Sequence, residues 1–164
     1  MAQRDMFLRL EGVKQGPIKG ESADSLHGDE IDVISWSWGM DSPGDAFGQA
    51  SGRTSFEQLR IVKRVDRATT ALMSAMRNNE LIKLGVLTVR KAGGANPIDY
   101  FTIKIERARL IQHRVRGGEG ADSSVLTEEL ALSFQKVGVE YVLQGKTGGG
   151  RSTSSFETEI NLNR

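Results

Sequence analysis

The chain has 164 residues, 38% of them apolar and 26% charged, and 22 Lys and Arg against 21 Asp and Glu leave a formal charge of +1. That length suits one domain with a single core, and the balanced charge excludes both charge-driven disorder and the concentrated basic surface that holds a nucleic-acid backbone. Cysteine is absent, which removes disulfides, thiolate metal sites and cysteine nucleophiles together, so neither cofactor nor metal is expected.

Glycine is over-used: 19 of 164 residues is about 12%, against roughly 7% on average, which favours turns and strands over helices. Residues 1–13 interleave Arg4, Asp5, Arg9 and Glu11 with a few apolar side chains and lack the apolar core of a signal peptide. No later stretch approaches a membrane span. Synthesis and folding in the cytoplasm are therefore expected, and any export follows a route that reads no standard signal peptide.

Residues 6–10 alternate as a strand, with Met6, Leu8 and Leu10 on one face and Phe7 and Arg9 on the other. Gly12, Gly16, Pro17 and Gly20 then punctuate the chain. Residues 31–38 form a second strand with Ile34, Trp36 and Trp38 on a large apolar face and Val33, Ser35 and Ser37 on a small, mostly hydroxylic one. Residues 39–55 have no sustained period and carry Gly39, Gly44, Gly48, Gly52 and Pro43, so they read as a long loop of the kind that is usually functional or mobile. Strand character resumes over 56–65, where Leu59 and Ile61 alternate with Arg60 and Val62.

Residues 66–79 are the one clear helix, with Asp66 as N-cap, Ala68, Leu72, Ala75 and Met76 as an apolar stripe, and Asn78-Asn79 as a stop. A strand over 84–91 follows, then a turn at Gly93-Gly94 and Asn96-Pro97, then a long strand or bent pair of strands over 99–115. After a glycine-rich loop at 117–120, the apolar phase runs through Leu130, Leu132 and Phe134 and shifts to Val137, Val139 and Tyr141. That shift predicts a β-bulge near Gln135 and Lys136. Residues 145–155 read as a flexible Gly/Ser-rich segment, and the alternation of Phe156, Thr158, Ile160 and Leu162 suits either a last strand or an unordered tail.

Chemistry is sparse. Gly145-Lys146-Thr147 fails as a phosphate loop, because the glycine required five residues before Gly145 is Glu140 and no helix follows. His27 and His113 have no second His at helical spacing and no nucleophile turn, so each reads as a surface or packing residue before a general base. Trp36 and Trp38 read as core, with Leu72, Met76 and Phe134, before a stacking platform for sugars or bases. Arg107, Arg109, Glu128 and Glu129 read as solvated charges that could pair across protomers. No constellation here suits an enzyme. Residues alone describe a glycine-rich, mainly β domain with one helix, whose long loops suggest assembly.

The order of segments says more. Ile18-Lys19-Gly20-Glu21-Ser22, His27, Glu30-Ile31-Asp32-Val33-Ile34-Ser35-Trp36-Ser37-Trp38-Gly39, Asp66-Arg67-Ala68-Thr69-Thr70-Ala71-Leu72-Met73, Leu87-Thr88-Val89-Arg90-Lys91-Ala92-Gly93-Gly94 and Thr127-Glu128-Glu129-Leu130-Ala131-Leu132-Ser133-Phe134-Gln135-Lys136-Val137 stand in the order and spacing of one family. Over residues 4–141 the chain resembles the haemolysin-coregulated proteins, the tube subunits of bacterial type VI secretion. It departs from them at Thr69-Thr70, where many members have Ser-Pro, and after Gln144, where its end has no clear counterpart.

The resemblance implies one domain over 1–164, a small β-barrel of two packed antiparallel sheets with a flanking helix, similar to phage tail tube proteins. It implies homohexameric rings that stack into a tube inside a contractile sheath, capped by a spike protein and expelled with effector proteins. The protein would then be cytoplasmic before firing and afterwards secreted or delivered to target cells, with neither nucleic acid nor membrane insertion involved. On this reading Ser35 and Ser37 face the lumen, and Met40, Asp41, Ser42, Pro43, Gly44, Asp45, Phe47 and Gly48 make ring-to-ring stacking contacts. The alternatives are a standalone secreted module binding carbohydrate or protein through Trp36 and Trp38, and a small barrel enzyme using His27 or His113.

Overall fold

Alternating apolar side chains resolve into strands along most of the chain. The computed structural model describes residues 5–44, 47–49, 52–91, 98–118, 125–144 and 151–160. Among these, the elements are β1 (Met6–Gly12), β2 (Gly16–Ile18), β3 (Ile31–Ser37), β4 (Met40–Asp41), β5 (Ser55–Phe56), β6 (Leu59–Arg64), α1 (Ala68–Arg77), β7 (Ile82–Arg90), β8 (Asp99–Gly117), β9 (Leu126–Gln144) and β10 (Arg151–Glu159).

Strands β1, β7, β8, β9, β6 and β3 pair antiparallel in that cyclic order and close on one another as a six-stranded barrel. Closure removes the sheet edges that would otherwise invite aggregation. Strand β9 is long enough to serve two partners on one side: residues 127–132 pair with β6, and residues 136–144 pair with β10. Short β2 extends β1, and β4 pairs with β5 as a separate ribbon. The barrel is filled by the fully buried Leu8, Leu10, Ile31, Leu59, Ile61, Leu87, Ile103 and Ile105. Gly85 is required in this interior, since a Cβ there would stand 2.8 Å from Ile105 Cγ1 and 3.0 Å from Leu10 Cδ2.

The helix is capped from both ends by its own sequence. Arg67 already has helical angles (φ −65°, ψ −19°), so Asp66 is the true cap: its carboxylate accepts the Ala68 N–H at 2.9 Å, and Thr69 Oγ1 accepts the Asp66 N–H at 3.0 Å. At the other end Asn79 is left-handed (φ 52°), with the Glu80 N–H donated to the Ala75 carbonyl at 2.8 Å and the Asn79 N–H to the Met76 carbonyl at 3.1 Å. The buried side chains are Ala68, Thr69, Leu72 and Ala75, while Met76 is 37% exposed. Thr69 joins the buried stripe at its start, where its hydroxyl donates to the buried Glu128 carboxylate at 2.8 Å, and the stripe stops short of Met76 at its end.

Strand phase differs from expectation at two points. In β3, Val33 pairs with Lys63 but Ser35 with Val62, so one extra residue lies between them. This bulge turns Ile31 and Val33 inward before it and Trp36 and Trp38 inward after it, leaving Ile34 exposed rather than aligned with the tryptophans. The phase change near Gln135 is real but is not a one-sided bulge. Glu106 pairs with Lys136 and Ala108 with Phe134, so β8 and β9 invert together around Arg107, whose φ is 51°. The one-sided shift of this pair lies at Leu110 to Gln112.

Two loop expectations also change. The loop over 39–55 is closed at its base by the β4–β5 pair and by the Glu57 N–H donated to the Gly39 carbonyl at 2.9 Å. Residues 151–155, expected to be flexible, are the first half of β10, whereas 145–150 and the turn at 93–97 lie outside the described residues. Strand β10 exists because β6 ends opposite Leu132, leaving the rest of that edge of β9 open for it.

Candidate assembly surfaces

The outer face of β3, β6, β9 and β8 is built by simple alternation. Leu59, Ile61 and Lys63 point into the protein, so Arg60, Val62 and Arg64 point out, and the ladder aligns them with neighbours of the same phase. One cross-strand row is Ser37, Arg60, Ala131 and Gln112; the next is Ser35, Val62, Glu129 and Arg114. Arg60 Nη1 donates to Gln112 Oε1 at 3.1 Å over Ala131, which is fully buried beneath them. Ser35 and Ser37 are both exposed and line an open groove of about 260 Å3 with Arg60, Gln112 and Glu129. The structure therefore brings the two predicted serines together on one polar wall. It adds Arg60, Gln112 and Arg114, whose outward phase was readable but whose alignment with the serines was not.

The stacking candidates lie beyond the barrel end. Met40 and Asp41 form β4, Phe47 is 92% exposed, and Ser42, Pro43, Gly44 and Gly48 fall in the connecting loop, while Asp45 lies outside the described residues. Trp38 Nε1 donates to the Glu57 carbonyl at 2.9 Å and fixes the loop base to the barrel. The tryptophans are spent on packing. Trp36 stacks on Phe101 at 5.7 Å, and Trp38 lies between Phe56 at 6.5 Å and Phe134 at 6.3 Å, which takes up the faces a sugar would need. Leu72 and Phe134 are core residues.

Neither histidine is a solvated residue. His113 Nε2 lies 2.5 Å from Glu128 Oε2, and Glu128 is itself fully buried against Lys63 and Thr69, so it is not the surface charge expected. His27 stacks on Phe7 at 4.4 Å, with Nδ1 2.9 Å from Glu30 and Nε2 3.1 Å from Asp99. That ring explains why Phe7, on the polar side of β1, is buried. Beside it Arg90 lies 5.1 Å over the Phe7 ring and pairs with Asp24 at 2.7 Å and Asp5 at 3.3 Å. Arg67 completes the fastening of the β2–β3 connection by donating to the Gly20 carbonyl at 2.7 Å and pairing with Asp29 at 2.8 Å. Gly20 has no room for a side chain, since a Cβ would stand 2.6 Å from the Glu30 carbonyl oxygen.

This fastening is pH-dependent in both directions. Burial opposes charging of His27, but the Glu30 and Asp99 carboxylates outweigh it and raise its pKa above the ordinary 6.5. Its contribution is complete below pH 6.5 and is lost as pH rises through the raised value. The hydrogen bond from Arg90 holds Asp24 down from 3.8 to about 2, so that contribution is present above pH 3.8 and is lost as pH falls through about 2. The melting-temperature gap between wild type and His27→Gln should narrow as pH is raised from about 5.5 to about 8.5. A gap that stays constant would show that the carboxylates do not favour the charged ring over the unfolded chain, and a gap that widens would show a ring held neutral in the folded protein.

Residues 7–141 match the family described as type VI secretion system effector, Hcp. The chain belongs to the Hcp family. It is 36% identical over 147 residues to Protein hcp1 of Pseudomonas aeruginosa, covering 88% of this chain and 86% of that protein. Its fold is shared with a solved Hcp protein at a TM-score of 0.81, 20% identity and coverage of 96% and 98% of the two chains. A type VI secretion system effector from Yersinia pestis superposes at a TM-score of 0.74 with 26% identity, covering 95% and 100%. Hcp is a structural, secreted protein family of the type VI system rather than an enzyme family. Among the described residues no helix is long and apolar enough to cross a membrane, and no cluster of His, Asp and Glu could hold a metal ion.

Proposed function

We propose that this chain is a tube subunit of a type VI secretion apparatus, forming hexameric rings that stack within a contractile sheath beneath a spike and carry effector proteins out of the cell. The observation that carries this reading is the wall itself: a barrel with a largely apolar interior presents a mostly polar outer face of serine, arginine, glutamine and glutamate around Val62 and Ala131, suited to a water-filled channel. Ser35 and Ser37 then line the lumen, and the loop over 40–48 meets the next ring. Exposed Phe47 and Met40 at the barrel end support the second role, since exposed apolar side chains in one segment mark a contact surface. The subunit waits in the cytoplasm and leaves only when the apparatus fires.

Native mass spectrometry of the purified protein should show closed rings, and a monomer across a wide concentration range would sink the proposal. Ser37→Glu should preserve rings and tubes while lowering effector retention, because it adds a carboxylate to the face that holds Glu129. Unchanged retention in tubes that still form would remove Ser37 from the lumen.

A further inference from the structure

We propose that the wall carrying Ser35 and Ser37 selects protein cargo with an acidic, carboxylate-rich surface; this rests on the reading of that wall as the tube lining. Five guanidiniums stand on it, those of Arg60, Arg64, Arg109, Arg114 and Arg116, against the two carboxylates of Glu129 and Asp32. The excess of three positive charges on one face contrasts with +1 for the entire chain. Among the described residues Arg60, Arg64, Arg109 and Arg114 have no carboxylate partner, Arg116 reaches Glu129 at only 3.7 Å, and the buried Nε of Arg109 has no hydrogen-bond acceptor. Elsewhere on the same hairpin the charges are matched: Lys136 pairs with Glu106 at 3.5 Å and Glu157 at 2.8 Å, and Lys104 faces Glu106 at 3.9 Å.

Unpaired guanidiniums therefore cluster on this face. Guanidinium presents a planar fork of donors that fits a carboxylate, and a ring would repeat the fork set around its circumference, so weak contacts add. Nucleic acid is the poorer fit. Single strands are held by aromatic stacking as well as charge, and the aromatic rings nearest this face, Trp36 and Trp38, are packed inward, while Glu129 sits in the middle of the wall.

The test uses the full-length chain and three probes: α-lactalbumin, which is acidic, lysozyme, which is basic and of the same fold and size, and a single-stranded oligonucleotide. Wild type should bind α-lactalbumin at low salt and release it as salt rises. Arg64→Glu/Arg114→Glu should weaken that binding by about tenfold or more, while Lys83→Glu, an exposed lysine off the wall, should leave it unchanged. Arg64 and Arg114 are exposed and unpaired, so the double variant keeps the fold, which its melting curve checks. Lysozyme bound as well as α-lactalbumin, or α-lactalbumin bound equally by the double variant, overturns the proposal; tighter binding of the oligonucleotide overturns it in favour of nucleic acid. Native mass spectrometry of the same samples separates the two readings. Rings that bind no acidic probe sink the cargo preference alone, and salt-sensitive binding by a monomer sinks the tube and keeps the preference.

Discussion

Glu128→Ala should cost the protein about 3–5 kcal/mol in urea denaturation, and Lys63→Met/Glu128→Leu should restore most of that loss. Lys63 and Glu128 have no exposed surface, and they pair with each other between the barrel wall and the start of α1. Lys63 Nζ also donates to Asp66 Oδ1 at 2.8 Å, Thr69 Oγ1 donates to Glu128 Oε1 at 2.8 Å, and His113 closes on the other carboxylate oxygen. One carboxylate thus ties β6, β8 and β9 to the helix cap. Its removal strands a buried ammonium with only one remaining carboxylate, and the size of the loss comes from that charge rather than from the bonds themselves. Replacing both partners with apolar side chains of similar volume removes the charge as well as its partner, so the double variant recovers. A single-variant cost below about 1 kcal/mol would show that water reaches the site after all.

Deleting residues 43–52 should leave rings intact and abolish tubes and secretion. The barrel does not depend on those residues, because the β4–β5 pair, the Trp38–Glu57 bond and the Glu57–Gly39 bond close the loop base without them. The deletion joins Ser42 to Arg53 and leaves Ser42, Arg53 and Thr54 as a turn of ordinary hairpin length. What goes is the tip bearing Phe47. Tube length is read by negative-stain microscopy, and tubes of unchanged length would reduce the loop to an inert connection.

Much of the fold was legible because it follows from period alone. Leu8 and Leu10, Ile103 and Ile105, and the Asp66 cap each announce their element without help from distant residues. The bulge at Ile34 was not legible, since it is set by how β6 approaches β3 and not by β3 itself. Nor was β10 over Ser152 to Ser155, whose side chains offer little reason to form a strand; it forms because β9 supplies an open edge. Two clues do stand in the sequence. Lys63 continues the inward phase of Leu59 and Ile61, and Glu128 that of Leu130 and Leu132, so each strand carries a charge where its own alternation requires burial. Of the candidate wall, Ser35 and Ser37 were found from alternation, but Arg60, Gln112 and Arg114 needed the ladder, which one sequence does not display.

The matched inversion of β8 and β9 around Arg107 and Gln135 restricts how this chain can change in evolution. Because both strands turn over at the same level, an insertion or deletion of one residue in either arm between that point and the connection at 118–125, if not taken up by a bulge such as the one at Leu110 to Gln112, would exchange inside for outside beyond it. Lys63 would lose Glu128, and the arginines of β8 would face the core. Length variation in descendants of this sequence should therefore concentrate in the connection at 118–125, at the loop tip over 43–52 and after Gln144, while the two long strands keep a fixed residue count even as their side chains drift.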